Sequence, residues 1–309
     1  SFILIVGLTV VNIFGVNVSK FVNNLITISK LVPLALFIAI GIFFINGANF
    51  TPVFPQDTYV DGSFAQAAVL LFFAYTGFEV IAIAAEDMKN PKKNLPRAII
   101  MCMLLVSVLY MAILAVSIGV LGTDLANTKA PVQDAFNVIV GPIGMYIVLI
   151  GTLISMGGIN FAEAYYAPRV ATSMAEDGML PSALAKRNRY NAPYVAAIVT
   201  AIASVLLAWS GSFTTLAAIS AVSRFTQYLP TCLAVIIFRR KWADKARSYT
   251  IPGGYLIPVI AIGTSLWMLA QAQTNQLLWG LGGCIVILPF YYSYWKKKKA
   301  GLIKDHDEM

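Results

Sequence analysis

Four ionisable side chains lie inside apolar runs of this sequence: Lys30, Glu79, Glu163 and Arg224. Helical rise sets their depth. Arg224 stands 15 residues before Arg239, about 22 Å from that charged edge, and Glu163 stands 13 before Glu176, about 20 Å. Glu79 lies 10 residues before Lys89 and Lys30 lies 10 after Lys20, about 15 Å in each case. A charge left facing hydrocarbon costs several kcal/mol, so each should face a bundle interior or a wet cavity. Two are basic and two acidic. The chemistry open to them is mutual neutralisation, ion binding and proton exchange.

Each has a plain reading beside the functional one. Lys30 either snorkels to the interface or holds a cation inside the bundle. Glu79 is either a protonated packing group or a titratable group at a ligand site. Its place two residues after Gly77 favours the second. Glu163 and Arg224 either form a structural ion pair, with each other or with Lys30 or Glu79, or act on a ligand. Gly157-Gly158 reads first as a close helix contact. Pro33 frees a carbonyl and kinks its helix.

The element that must position Glu79 is the stretch 64–97. It begins as an apolar helix. Tyr75-Thr76-Gly77-Phe78-Glu79 interrupts it, and a polar loop with Pro91 and Pro96 follows. A helix broken at mid-depth frees backbone N–H and C=O groups. These are tolerated only where they line a protein-enclosed cavity. The break is therefore the candidate ligand site.

Composition sets the surroundings. Hydrophobic residues make up 59% of the 309, charged residues 12%, and mean hydropathy is +0.76. Soluble domains carry about a quarter charged residues, so this is an all-α integral membrane protein. Apart from Lys30 and Arg224, every basic residue but Lys129 lies at Lys20, in 89–97, 169–189 or 239–247, or after 296. The positive-inside rule puts that group, and the C-terminus, in the cytoplasm. The net charge of +8 thus reads as topology signalling and not as nucleic-acid binding.

The chain divides into eight full spans and one partial. Phe2 to Gly15 is too short to cross and reads as the end of a helix begun upstream. Spans follow at 22–45, 64–85 (broken), 97–122, 144–170, 193–210, 214–238, 256–273 and 277–295. The connection 46–62 is an outer loop, and 131–140 a short surface helix. Lys296 to Lys299 and the aromatic cluster Tyr291, Tyr292, Tyr294 and Trp295 anchor the last span. Cys102, Cys232 and Cys284 sit in apolar runs without metal or disulfide spacing, and the lone His306 is in the tail. Neither an enzyme nor a cofactor is indicated.

The residues Phe72 to Glu79, then Glu86-Asp87-Met88-Lys89-Asn90-Pro91 and Leu95-Pro96-Arg97-Ala98-Ile99, resemble bacterial amino acid permeases of the amino acid–polyamine–organocation superfamily. Val22-Asn23-Asn24 with Lys30 looks like that group's fifth helix, and Ala175 to Pro181 like the loop after its eighth. The resemblance implies a five-plus-five inverted-repeat, LeuT-like transporter fold. It implies 1–63 as the end of a first repeat, 64–238 as a complete second repeat, and 239–309 as two further helices with a cytoplasmic tail. Helices 1 to 3 would be absent, and with them the segment that binds a substrate carboxylate.

The resemblance further implies secondary transport of amino acids at the plasma membrane, by proton-coupled symport or exchange. Carbonyls around Phe73, Ala74 and Tyr75 would meet the substrate amino group, with Thr76, Gly77 and Phe78 beside them. Lys30 stands where sodium-coupled relatives hold sodium, which points to protons, with Ser155 as its neighbour. Glu79 matches an acidic position near the substrate and outer gate; Glu163 joins the coupling or gating set. Two rivals remain: a polyamine or cationic amino acid exchanger, using Glu79 and Glu163 for a second amino group, and a non-transporting assembly partner.

Overall fold

The computed structural model describes residues 2–14, 20–52, 63–79, 81, 88–244, 247 and 249–299. The 53–62 part of the expected outer loop, the 82–85 end of the broken run, Glu86-Asp87 of the motif and His306 lie outside them. Ten α-helices and no strand occur among the described residues. They are α1 (Phe2–Ile13), α2 (Lys20–Gly41), α3 (Ser63–Ala74), α4 (Pro91–Leu121), α5 (Pro131–Val140), α6 (Pro142–Glu176), α7 (Tyr194–Ser210), α8 (Phe213–Lys241), α9 (Leu256–Gln271) and α10 (Thr274–Lys299).

Among the described residues, five stretches are long and apolar enough to cross a bilayer: Asn24–Phe44, Pro91–Asn127, Pro142–Glu176, Phe213–Lys241 and Thr274–Lys296. Apolar length in the sequence predicts eight. The difference lies in α3, α7 and α9, at 12, 17 and 16 residues. Each falls short of the roughly 20 that a perpendicular crossing takes. The surface fits a lipid solvent. On α4, Met101, Leu104, Leu105, Val108 and Met111 are exposed along one helical stripe.

The chain forms two compact units. The first comprises Ser1–Pro55, Tyr110–Ser210 and Leu288–Met309. Its core joins Phe37 of α2, Val116 of α4, Ala135 and Phe136 of α5 and Val148 of α6. Phe37 and Phe136 meet edge-on, with centroids 5.7 Å apart. The expected surface helix at 131–140 therefore buries Ala135 and Phe136 completely, with Val132 and Ile139 partly covered beside them. Its amphipathic pattern is used to roof a core, with Pro131 starting it at N1.

Glycines bring α2 and α6 together. A Cβ at Gly151 would stand 2.6 Å from Pro33 Cγ and 2.9 Å from the Ser29 carbonyl oxygen. That carbonyl is the one Pro33 leaves without its helical N–H. One at Gly158 would overlap the Ile26 side chain, whereas Gly157 has open space. The contact expected of the pair belongs to Gly158 alone.

Polar side chains tie α1 to α6 and to the loop after it. Asn12 is 5% exposed; its amide donates to the Ala164 carbonyl and accepts from Arg169 at 3.3 Å. Arg169 also donates to the Tyr165 carbonyl at 2.7 Å and lies 3.3 Å from the Tyr165 ring centroid. Asn188 accepts from the N–H groups of Tyr190 and Ala192 and donates to the Ile13 carbonyl at 2.7 Å. It thereby caps a terminal carbonyl of α1 from across the chain.

The second unit comprises Gln56–Leu109 and Gly211–Ile287. Val69 of α3 packs with Ala218 and Ala221 of α8, under Phe72, Phe73 and Met268. Gly280 of α10 closes on Val222, where a Cβ would come within 2.7 Å of its Cγ1. Small residues at these crossings let backbones approach, which is how helices associate where lipid is as apolar as leucine.

Candidate functional site

The second unit holds the interrupted helix. α3 stops at Ala74, and residues 75–77 form a turn. The Tyr75 N–H donates to the Phe72 carbonyl at 3.0 Å. The Phe73 carbonyl accepts twice from Thr76, from its N–H at 3.1 Å and its hydroxyl at 2.7 Å. Gly77 then takes φ +106°, a region glycine enters without Cβ strain. That rotation aims the Gly77 N–H at Glu79, which accepts it on Oε2 at 2.7 Å.

The other carboxylate oxygen turns to α8. Glu79 Oε1 accepts from the Tyr228 hydroxyl and pairs with the Arg224 guanidinium at 3.2 Å. Arg224 and Tyr228 are four residues apart, hence on one helix face. The Glu79 side chain is 13% exposed and that of Arg224 35%. Aromatic rings hold the arrangement. Phe78 stacks on Tyr228 with centroids 6.0 Å apart, and Phe72 stacks on Phe225 at 4.7 Å while meeting Tyr228 edge-on at 5.8 Å.

Of the open pairings for Arg224, the structure selects Glu79. Tyr228 is the residue that sequence reasoning missed; its i+4 spacing from Arg224 was the available signal. Around the break, Phe73, Tyr75, Thr76 and Phe78 are half-buried, while Ala74 and Gly77 are exposed. Elsewhere in this unit, a cavity of about 150 Å³ is lined by Gln66, Gln271, Gln273 and Gln276 with Thr214 and Thr215, and carries no charged residue.

Lys30, Ser155 and Glu163 belong to the first unit. Lys30 is exposed on α2, one residue beyond the Ser29 carbonyl that faces Gly151. Ser155 is half-buried on α6, between Gly151 and Gly158, which both touch α2. No hydrogen bond joins Lys30 to Ser155 among the described residues. Glu163 is exposed on α6.

A helical chain with several apolar spans, and a charge-compensated turn at the end of a shorter apolar helix, is a multi-pass membrane protein. It belongs to the amino acid permease family, whose model matches residues 1–294. Three relatives from Bacillus subtilis (strain 168) are similar to it. The branched-chain amino acid permease BcaP is 29% identical over 304 residues, covering 96% of this chain and 64% of the relative. The methylthioribose transporter is 29% identical over 300 residues, with coverage of 96% and 64%. The serine/threonine exchanger SteT is 29% identical over 306 residues, with coverage of 96% and 69%. The chain thus spans a little under two thirds of the length of the first two.

Proposed function

We propose that this chain serves secondary transport of amino acids across the plasma membrane, by alternating access. The observation that carries the reading is the turn at Tyr75–Glu79 that ends the apolar helix α3, with its carboxylate paired to α8, in an amino acid permease family member. An amino acid zwitterion is costly to bring into a low-dielectric interior. Broken helices supply oriented dipoles there without added full charges. The proposed fold is the five-plus-five inverted repeat, with 64–238 as its second repeat and 239–309 as further helices.

In this reading the substrate amino group meets backbone around Phe73, Ala74 and Tyr75, with Thr76, Gly77 and Phe78 shaping the side-chain end. The Phe73 carbonyl, which already accepts two bonds from Thr76, would exchange one of them for the ligand. Lys30, with Ser155 near it on α6, couples transport to protons. Glu79 and Glu163 are assigned to coupling or gating. The basic ends of the spans and the C-terminus face the cytoplasm.

The test is uptake of labelled leucine, serine and threonine into proteoliposomes by the natural full-length product, with and without an inward proton gradient. Saturable uptake of at least one is expected. None, from correctly inserted protein, overturns the reading. A second reading follows from the methylthioribose transporter being as similar as the permease. Uptake of methylthioribose with no amino acid competing would establish it instead.

A further inference from the structure

We propose that Arg224 and Tyr228 fix the charge class of the substrate. By occupying the Glu79 carboxylate they keep the break electrically neutral, so that it takes amino acids with uncharged side chains and rejects a second positive charge. The inference rests on the transport reading above and specifies it.

A buried carboxylate is what a lysine side chain or a diamine would seek, because an ammonium taken out of water needs an acceptor of opposite charge. Among the described residues of the second unit, the carboxylates are Glu79 and Asp244, and Asp244 lies beyond the end of α8. Among these, Glu79 is the acceptor such a substrate would use. Both of its oxygens are engaged. Oε2 holds the Gly77 N–H at 2.7 Å, and Oε1 holds the Tyr228 hydroxyl and the Arg224 guanidinium, the latter at 3.2 Å.

These partners are hard for a free cation to displace. Arg224 is carried on α8, which packs directly on α3, so it competes as a tethered group at high effective concentration. Tyr228 is held between Phe78 and Phe72, which limits its freedom to swing away. Expelling Arg224 would also leave a guanidinium, 35% exposed in the pair, without its counter-charge. The pair thus acts as an internal occupant of the position that a cationic side chain would need.

The reasoning is symmetric in sign. Removing Arg224 uncovers an anion and should admit cations. Removing the Glu79 charge uncovers a guanidinium and should admit anions. A merely structural pair would alter stability and leave selectivity where it was.

The experiment is competition against labelled neutral amino acid uptake in proteoliposomes, using the natural full-length product. Competitors are L-lysine, putrescine and L-glutamate. For the wild type, all three should compete at least 100-fold more weakly than the best neutral substrate. Arg224→Met should strengthen lysine and putrescine relative to that substrate tenfold or more, and Arg224→Lys should keep the wild-type profile. Glu79→Gln should instead strengthen glutamate. Glu176→Gln, which breaks an exposed ion pair with Arg187 in the first unit, should change none of these. Wild-type protein inhibited by lysine as strongly as by neutral amino acids overturns the proposal. So does either single variant that keeps neutral uptake with unshifted selectivity. Should both singles fail to insert, the double variant Glu79→Gln/Arg224→Met, which carries no unpaired charge, decides. It should stay indifferent to lysine and glutamate, and acceptance of either overturns the idea. Absence of neutral uptake in the wild type defeats the transport reading itself and is distinguished by that result.

Discussion

Replacing Gly151, Gly158 and Gly157 of α6 by alanine, one at a time, should give three different outcomes from one chemical change. At Gly151 the new methyl would stand 2.6 Å from Pro33 Cγ and 2.9 Å from the Ser29 carbonyl oxygen. Neither can turn away, since one is a ring fused to the backbone and the other is backbone. The helices must separate, at a cost of about 2–3 kcal/mol, the upper part of the range for overpacking. At Gly158 the clash is with Ile26, whose side chain can change rotamer. About 1 kcal/mol is expected there. At Gly157 nothing lies within 4 Å. Alanine should be neutral, or stabilising by up to about 0.5 kcal/mol through its helix preference. The assay is thermal unfolding of detergent-solubilised protein followed by size-exclusion chromatography. At roughly 2–4 °C per kcal/mol the order should be resolved. A Gly157→Ala variant as destabilised as Gly151→Ala would refute the argument, because it would show that flexibility rather than close approach is what these glycines supply.

Further outcomes can be read in the same format. Gly77→Ala should lower the unfolding temperature by the equivalent of about 1–2 kcal/mol, since φ +106° strains any residue with a Cβ; an unchanged midpoint would mean the turn relaxes freely. Ser117→Ala should be neutral or stabilising, because the buried Ser117 hydroxyl has no partner among the described residues; a loss above about 1 kcal/mol would reveal a bond not seen. Asn188→Ala should destabilise by about 2 kcal/mol, as it deletes three hydrogen bonds, one of them to the end of α1; Asn188→Asp should recover only part of this, lacking the donor to Ile13. Lys30→Ala should abolish gradient-driven accumulation while sparing exchange across proteoliposomes, and full accumulation in that variant would return Lys30 to an interfacial role.

Much of the helical layout could be read from the chain. The runs at 22–45, 97–122, 131–140, 144–170, 193–210, 214–238, 256–273 and 277–295 each coincide with a helix to within six residues at either end, because apolar length is a direct property of sequence. Helix α6 runs six residues past the expected end, since Arg169 reads as a stop in hydropathy yet is accommodated by Asn12 and the Tyr165 ring. The interruption after Ala74 was visible in Gly77 and Glu79. The identity of the partner was not. Glu79 and Tyr228 are 149 residues apart, and no local pattern encodes which of two cations meets which of two carboxylates. Tyr228 was hidden because a tyrosine in an apolar helix looks like packing until a buried carboxylate is placed beside its hydroxyl. The buried side of α5 was hidden for a related reason: amphipathicity says that one face is covered, but not by what.

The lengths of the helices have a consequence for the membrane itself. α6, at 35 residues, is about 52 Å long, whereas α7 and α9, at 17 and 16 residues, reach only about 25 Å. Against a hydrocarbon slab of about 30 Å, the long helix must tilt or protrude and the short ones must draw the headgroups inward. Within the first unit, α6 and α7 therefore give the lipid a boundary of uneven height. Around such a boundary the bilayer is pinched at some places and thickened at others. Lipid chain length should act on this protein as a mechanical load, favouring whichever arrangement of its helices best matches the local thickness.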